Sequence, residues 1–185
     1  MGLFQKKVKE QPEPQYYMSA INIKTLNYKV YYMSVKEKIL YFLLAFVVGA
    51  AVGYLFYGGL ALDEFSQPTT LTYILNIVIS SIAGIAAGKM FLPIRVEQII
   101  KKRKKILTQQ FRDMLDSLTT SLGAGNNMLD SLYSVREDLQ MQYEEDAYMI
   151  QEINIMIAGA QNNFLIEDML YDLGIRSGID DIKSF

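Results

Sequence analysis

A chain of 185 residues has room for one modest domain and a membrane anchor, but not for a second independent globular domain of ordinary size. It contains no histidine and no cysteine, which excludes disulfides, the commonest nucleophile–base pairs and most transition-metal sites. The net charge of −2 conceals a split: residues 1–112 carry fifteen Lys/Arg and six Asp/Glu, a balance of +9, whereas residues 113–185 carry three and fourteen, a balance of −11.

Residues 1–38 are polar, with Pro12, Pro14, seven lysines and several tyrosines, and no steady apolar period runs through them. They read either as a basic, Tyr-rich cytoplasmic arm, extended or partly ordered, or as a disordered tail. In the first reading Tyr31, Tyr32 and Met33 dip into a headgroup layer beside Lys36 and Lys38. Position 6 is lysine where a myristoylation signal wants Ser or Thr. The first apolar stretch begins at Ile39, is too long for the core of a signal peptide and has no cleavage site, so it is expected to remain as an anchor.

Ile39–Leu62 is uncharged for twenty-four residues, enough for a helix of ~36 Å against a hydrocarbon layer of ~30 Å. Its thirteen Leu, Ile, Phe and Val residues favour insertion by roughly 4 to 8 kcal/mol together. Asp63, Glu64 and Pro68 form the connector, and a second span is expected over about 69–90, wetter because it holds Asn76, Ser80 and Ser81. Segments 39–92 thus read as a transmembrane helical hairpin. Lys36 and Lys38 lie before it, and Lys89, Arg95, Lys101, Lys102, Arg103, Lys104 and Lys105 after it, while the connector is acidic. The positive-inside rule then puts both termini in the cytoplasm of a multi-pass membrane protein. Gly49 with Gly53 and Gly84 with Gly88 are small pairs four residues apart, spaced for close helix packing, although glycine is frequent in membrane helices in any case.

Beyond Pro93 the apolar period becomes that of an amphipathic helix (Ile99, Ile106, Leu107, Phe111, Met114, Leu115, Leu118, Leu122) that continues from the membrane exit. An inter-helix turn follows at Gly123, Gly125, Asn126 and Asn127, with Asn127 capping a helix that buries Met128, Leu129, Leu132, Val135 and Leu139. The next helix is expected to start near Glu144, Glu145 and Asp146, to bury Met149, Ile150, Ile153, Met156, Ile157 and Ala160, and to end at Asn162 and Asn163. A fourth turns Leu165, Ile166, Met169, Leu170 and Leu173 inward and stops at Gly174, and Gly178 precedes a short start over Ile179–Phe185. With no strand-like alternation found, the expected class is all-α: a two-helix transmembrane hairpin followed, over 93–185, by an antiparallel helical bundle.

Nothing in the chain reads as catalytic, and no cofactor or metal is expected. Gly84–Met90 superficially resembles a phosphate loop, but its glycines are one residue too close, no Ser/Thr follows Lys89, and it lies in an apolar helix. The basic run Lys101–Lys105, so near a span, reads as a topology signal and an anionic-lipid contact rather than a nucleic-acid site. Most carboxylates fall on faces a bundle would expose, without EF-hand spacing. The acidic balance of residues 113–185 suits a basic partner surface, for which Glu144, Glu145, Asp146, Asp180 and Asp181 are the candidate contacts.

The segment FRDMLDSLTTSLGAGNNMLDSLYSV, from Phe111, resembles the first helical hairpin of the F domain of type II secretion platform proteins. The later EINIMIAGAQNNFLIEDMLYDLGIRSGIDDIKSF looks like its continuation. Two spans ahead of such a domain are most similar to the B-type platform protein of the tight-adherence (Tad, or Flp) pilus system. The resemblance implies a bacterial inner-membrane component that couples a cytoplasmic secretion ATPase to pilin assembly or protein export without hydrolysing ATP itself. It also implies a paralogous platform protein and pilins as partners, within a homo- or hetero-oligomer. Family members complete a six-helix bundle and return to the membrane, so on this resemblance Phe185 falls where the domain is still incomplete. The competing readings are a membrane-tethered helical adaptor unrelated to secretion and a membrane enzyme, the latter lacking any ionisable cluster within the spans.

Overall fold

The computed structural model describes residues 12–19, 22–59 and 67–184. Of these, 73% are helical and 4% lie in strands, so the all-α class holds. The elements are β1 (Tyr16–Met18), β2 (Lys24–Leu26), α1 (Val35–Tyr57), α2 (Thr70–Gly123), α3 (Met128–Gln140), α4 (Tyr148–Gln161), α5 (Ile166–Ser177) and α6 (Asp180–Lys183). They fall into two compact units, one of Tyr32–Ile99 and the other of Met1–Tyr31 with Ile100–Phe185.

In the first unit α1 starts four residues before the expected Ile39, because Ser34 and Glu37 form a reciprocal capping box: the Ser34 hydroxyl accepts from the Glu37 N–H, and the Glu37 carboxylate accepts from the Ser34 N–H. Lys36 and Lys38 are therefore helical residues, both exposed. The helix ends at Tyr57, short of the expected Leu62; Gly58 caps it, and 60–62, with the acidic connector residues Asp63 and Glu64, lie outside the described residues. Pro93 does not end α2. Although proline cannot donate to the carbonyl one turn back, the helix runs on through it. The residues of α2 through Ile99 belong to the first unit and those from Ile100 to the second, so the boundary lies later than the expected residue 93. Both α1 and α2 are long and apolar enough to cross a membrane.

The second unit is built on the predicted periods. Leu107, Phe111, Met114 and Leu118 of α2 share a core with Leu132, Val135 and Leu139 of α3, with Met149, Ile150, Ile153, Met156 and Ile157 of α4, and with Leu173 and Ile182. The turn after α2 has Gly125 at φ 92, a left-handed conformation that suits glycine, and Asn127 accepts from the Asp130 N–H at 2.9 Å as the N-cap of α3. Met128 is 40% exposed, so the inward face of α3 begins at Leu129. The α4 helix opens later than expected, at Tyr148, leaving Glu144, Glu145 and Asp146 on the preceding turn, all exposed. It closes at Asn162, with Asn163 at φ 63.

Two expectations are corrected here. The α5 helix does not stop at Gly174 but continues to Ser177, where Gly178, at φ 57, terminates it. Gly174 serves packing instead, since a Cβ there would stand 2.9 Å from Lys183 Cα; its absence lets α6 lie against α5. Leu165, expected inward, is 63% exposed and precedes the helix. The second correction concerns the N-terminal segment. Strands β1 and β2 form an antiparallel ribbon in register Tyr16↔Leu26, Tyr17↔Thr25 and Met18↔Lys24. Tyr28, from the segment read as an arm or tail, is fully buried in the helical core. The Arg103 guanidinium lies over the ring of Tyr31, 4.5 Å from the centroid.

Candidate functional site

Among the described residues, two places have the geometry of a site, one in each unit. In the unit of Tyr32–Ile99, Gly49, Gly53, Gly84 and Gly88 leave no room for a Cβ against the neighbouring helix. A Cβ on Gly49 would stand 2.5 Å from Ala87 Cβ, and one on Gly53 2.9 Å from Ala83 Cβ. Across the same seam, Cβ atoms on Gly84 and Gly88 would meet the rings of Phe46 and Phe42 at 2.7 and 2.5 Å. The pairs run in opposite chain senses, Phe42 with Gly88, Phe46 with Gly84 and Gly53 with Ala83, so the helices are antiparallel and phenylalanine on one fills the notch left by glycine on the other. At the far end Asn76 Nδ2 donates to the Gly58 carbonyl at 3.1 Å, so this polar side chain faces the other helix. At the near end Tyr41 packs on Phe91, ring centroids 6.3 Å apart, and Arg95 lies over Tyr41 at 5.2 Å. Lys89 is exposed on this helix.

In the other unit the distinctive feature is a buried ion pair. Arg176, on α5, and Glu152, on α4, are 4% and 3% exposed. Arg176 Nη1 and Nη2 donate to Glu152 Oε1 and Oε2 at 3.0 and 2.8 Å, the parallel fork that guanidinium and carboxylate favour. The Tyr28 hydroxyl also donates to Glu152, at 2.8 Å, Arg176 Nε donates to Asp172 at 2.6 Å, and Nη1 donates to the Leu26 carbonyl at 3.0 Å. The Tyr28 N–H donates to the Arg176 carbonyl at 3.1 Å. One ion pair thereby joins α4, α5 and the segment after β2. Burial, then the adjoining Glu152 charge and its hydrogen bond, push the Tyr28 hydroxyl far above the ordinary tyrosine range. Burial alone would lower the Arg176 guanidinium, but its hydrogen bonds and charge pairing with Glu152, and then Asp172, raise it.

Periodicity contained the signal for this pair. Glu152 falls three residues after Met149 and four before Met156, on the apolar face of α4, and Arg176 falls three after Leu173 on that of α5. Two charges of opposite sign in two core stripes point to a buried pair. Beside it opens a cleft of about 360 Å³, lined by Met18, Ile155, Met156, Phe164 and Met169 with Asp168 and Asp172. With its donors and carboxylate already engaged, the pair ties elements together; it presents no unengaged nucleophile or base.

No family model, curated protein or solved structure matches the chain.

The remaining predicted residues do not converge on one spot. Glu144, Glu145 and Asp146 sit together before α4, whereas Asp180 and Asp181 lie on α6, where Asp181 pairs with Arg112 at 3.4 Å. Both partners of that bridge are well exposed, so it contributes little. Lys101, Lys102 and Lys105 are exposed, but Lys104 donates to the Gly178 carbonyl at 3.1 Å and Arg103 packs on Tyr31, so the basic run is partly engaged in the fold. Tyr143, before α4, donates to Asp113, and that hydrogen bond raises its hydroxyl pKa.

Each site makes a prediction. A cysteine pair at Tyr41 and Phe91, whose rings pack 6.3 Å apart between centroids on the two helices, should be joined by a short bifunctional thiol reagent in the otherwise cysteine-free chain. Adding Gly84→Leu should prevent that crosslink while Ala51→Leu, on an exposed position, leaves it intact; equal yields in both backgrounds would show that the glycines do not set the seam. Glu152→Gln should cost about 3 to 5 kcal/mol in urea unfolding followed by circular dichroism, because it removes the bidentate carboxylate from a buried guanidinium and leaves it only the half-exposed Asp172. The double replacement Glu152→Met with Arg176→Met should cost much less. Single and double variants of equal stability would mean the pair is not the tie described.

Proposed function

We propose that this chain is a non-catalytic component of a bacterial inner-membrane platform, in a Tad-like pilus or type II secretion machine, coupling a cytoplasmic secretion ATPase to pilin assembly or protein export. In this reading α1 and the first part of α2 are a transmembrane hairpin, both flanks are cytoplasmic, and the unit of Met1–Tyr31 with Ile100–Phe185 is the cytoplasmic bundle. One observation carries the membrane part. Only 6% of the apolar window of α1 and 11% of that of α2 is buried, so these are not the enclosed core helices of a soluble domain. Leu43, Leu44, Val47, Val48, Leu55, Ile77 and Ile82 are all more than half exposed, and in water such a surface would demand cover. A bilayer supplies that cover, and the antiparallel seam lets two helices enter it as a pair.

The secretion part is supported by the resemblance of residues 93–185 to an F domain and by the acidic surface. Exposed Glu144, Glu145 and Asp146 offer an attractive field to a basic partner, and the partner that the resemblance implies is the ATPase, with a paralogous platform protein and pilins in the same assembly. Steering by exposed charges is screened beyond ~8 Å at physiological salt, so it acts mainly on the rate of encounter.

The experiment uses the full chain in native-like membranes and the secretion ATPase of the same genome. Wild type should bind it, with an on-rate that falls as salt rises. Reversal of Glu144, Glu145 and Asp146 to lysine should lower that on-rate several-fold at unchanged helical circular dichroism. Binding indifferent both to the reversal and to salt would refute the acidic-face contact. Absence of any binding would leave the membrane-tethered adaptor as the better reading.

A further inference from the structure

The helix pair of Tyr32–Ile99 carries a groove that its own packing leaves open. It has a volume of about 380 Å³ and is lined by Tyr41, Leu44 and Val48 of α1, Ala87 and Phe91 of α2, and, at one end, Arg95. Its wall is almost wholly apolar up to that guanidinium. Tyr41 to Val48 is two helical turns, so the apolar floor is roughly 10 Å long.

Arg95 is half-buried, and its partners are neutral: Nη1 donates to Gln98 Oε1 at 3.2 Å, and the guanidinium lies over the Tyr41 ring. Its Nε is buried with no hydrogen-bond partner, and no carboxylate pairs with it among the described residues. An arginine held at the end of an apolar groove without an acid is an incomplete ion pair, and its planar fork matches a phosphate. Apolar floor and cationic end together describe the two parts of one molecule.

We infer that this groove is a binding site for an anionic phospholipid, one acyl chain lying along Leu44, Val48 and Ala87 and the phosphate on Arg95. The inference rests on the proposal that α1 and α2 span a bilayer. Three residues agree on the level of the headgroup: exposed Lys38 lies one turn before Tyr41, exposed Lys89 lies on α2, and Tyr41 itself is the kind of side chain that settles at the interface. The alternative occupant, a second copy's spanning helix, is disfavoured by charge. The described residues 39–59 and 67–88 contain no carboxylate to neutralise Arg95, and the acid of α1 at that level, Glu37, already accepts from the Ser34 N–H, whereas a phosphate neutralises Arg95 directly.

The test is native mass spectrometry of the full chain, released from bilayers of equal phosphatidylglycerol and phosphatidylethanolamine, with carbonate-resistant membrane insertion measured in parallel. Wild type should retain phosphatidylglycerol in preference. Arg95→Gln should lose that preference by about five-fold, the worth of one basic residue at an anionic surface. Val48→Trp, which fills the floor and keeps the charge, should reduce retention of both lipids. Added glycerol phosphate should not displace the lipid, because it lacks the acyl chain. Equal retention of the two lipids by wild type, unchanged retention in both variants, displacement by glycerol phosphate, or a dimer without bound lipid would each overturn the inference. Failure of the wild type to insert would instead overturn the membrane reading beneath it.

Discussion

The constraint on which the rest depends is that α1 and the first part of α2 satisfy their backbone internally and leave their side chains largely uncovered. A helix that is apolar on every side cannot be held by an amphipathic core, so what it packs against must be chosen by shape. Glycine supplies the shape. At Gly49, Gly53, Gly84 and Gly88 there is no room for a Cβ, and Phe42 and Phe46 occupy the notches. In the bilayer proposed for these helices, close approach of this kind gains dispersion contacts where the hydrophobic effect offers nothing, since hydrocarbon tails are as apolar as the side chains they would replace. The same seam turns Arg95 and Tyr41 together at one end, which is where charge meets the apolar groove.

The other unit is held by a different logic. Its helices bury apolar stripes in the ordinary amphipathic way, and Glu152 with Arg176 interrupts two of those stripes at once. A buried pair of this sort gains little net stability over an apolar replacement, because desolvating two ions offsets most of their attraction. What it imposes is register: Glu152 accepts from both Arg176 and Tyr28, so α4, α5 and the segment after β2 are fixed against one another through one carboxylate.

Much of this was legible in the sequence, and the parts that were not share a cause. The uncharged runs, the helix closing at Gly123, the Asn127 cap and the inward faces of α3 and α4 follow from local pattern, because helix periodicity and capping are encoded within a few residues. The ribbon of β1 and β2 was missed because strands of three residues carry too little alternation to register. The early start of α1 is encoded in the Ser34 and Glu37 capping box, which a boundary drawn at the first uncharged residue, Ile39, passes over. Gly174 was read as a stop when its purpose is contact with Lys183, a partner that only the fold brings near. Tyr28 joins a core whose other members lie about a hundred residues away, and no local signal marks it. For the candidate sites, the glycine positions were visible as spacing, whereas the Arg95 groove depends on two helices lying side by side and was not.

The central claim is that lipid covers the helices of the Tyr32–Ile99 unit, and photolabelling from within the acyl-chain layer tests it most directly. A carbene precursor confined to that layer of reconstituted vesicles should mark Leu43, Leu44, Val47, Val48, Leu55 and Ile77, the exposed apolar side chains of α1 and α2. It should leave Leu132 and Ile153, buried in the other unit, unmarked. Label absent from these side chains while the chain remains with the vesicles would contradict the account.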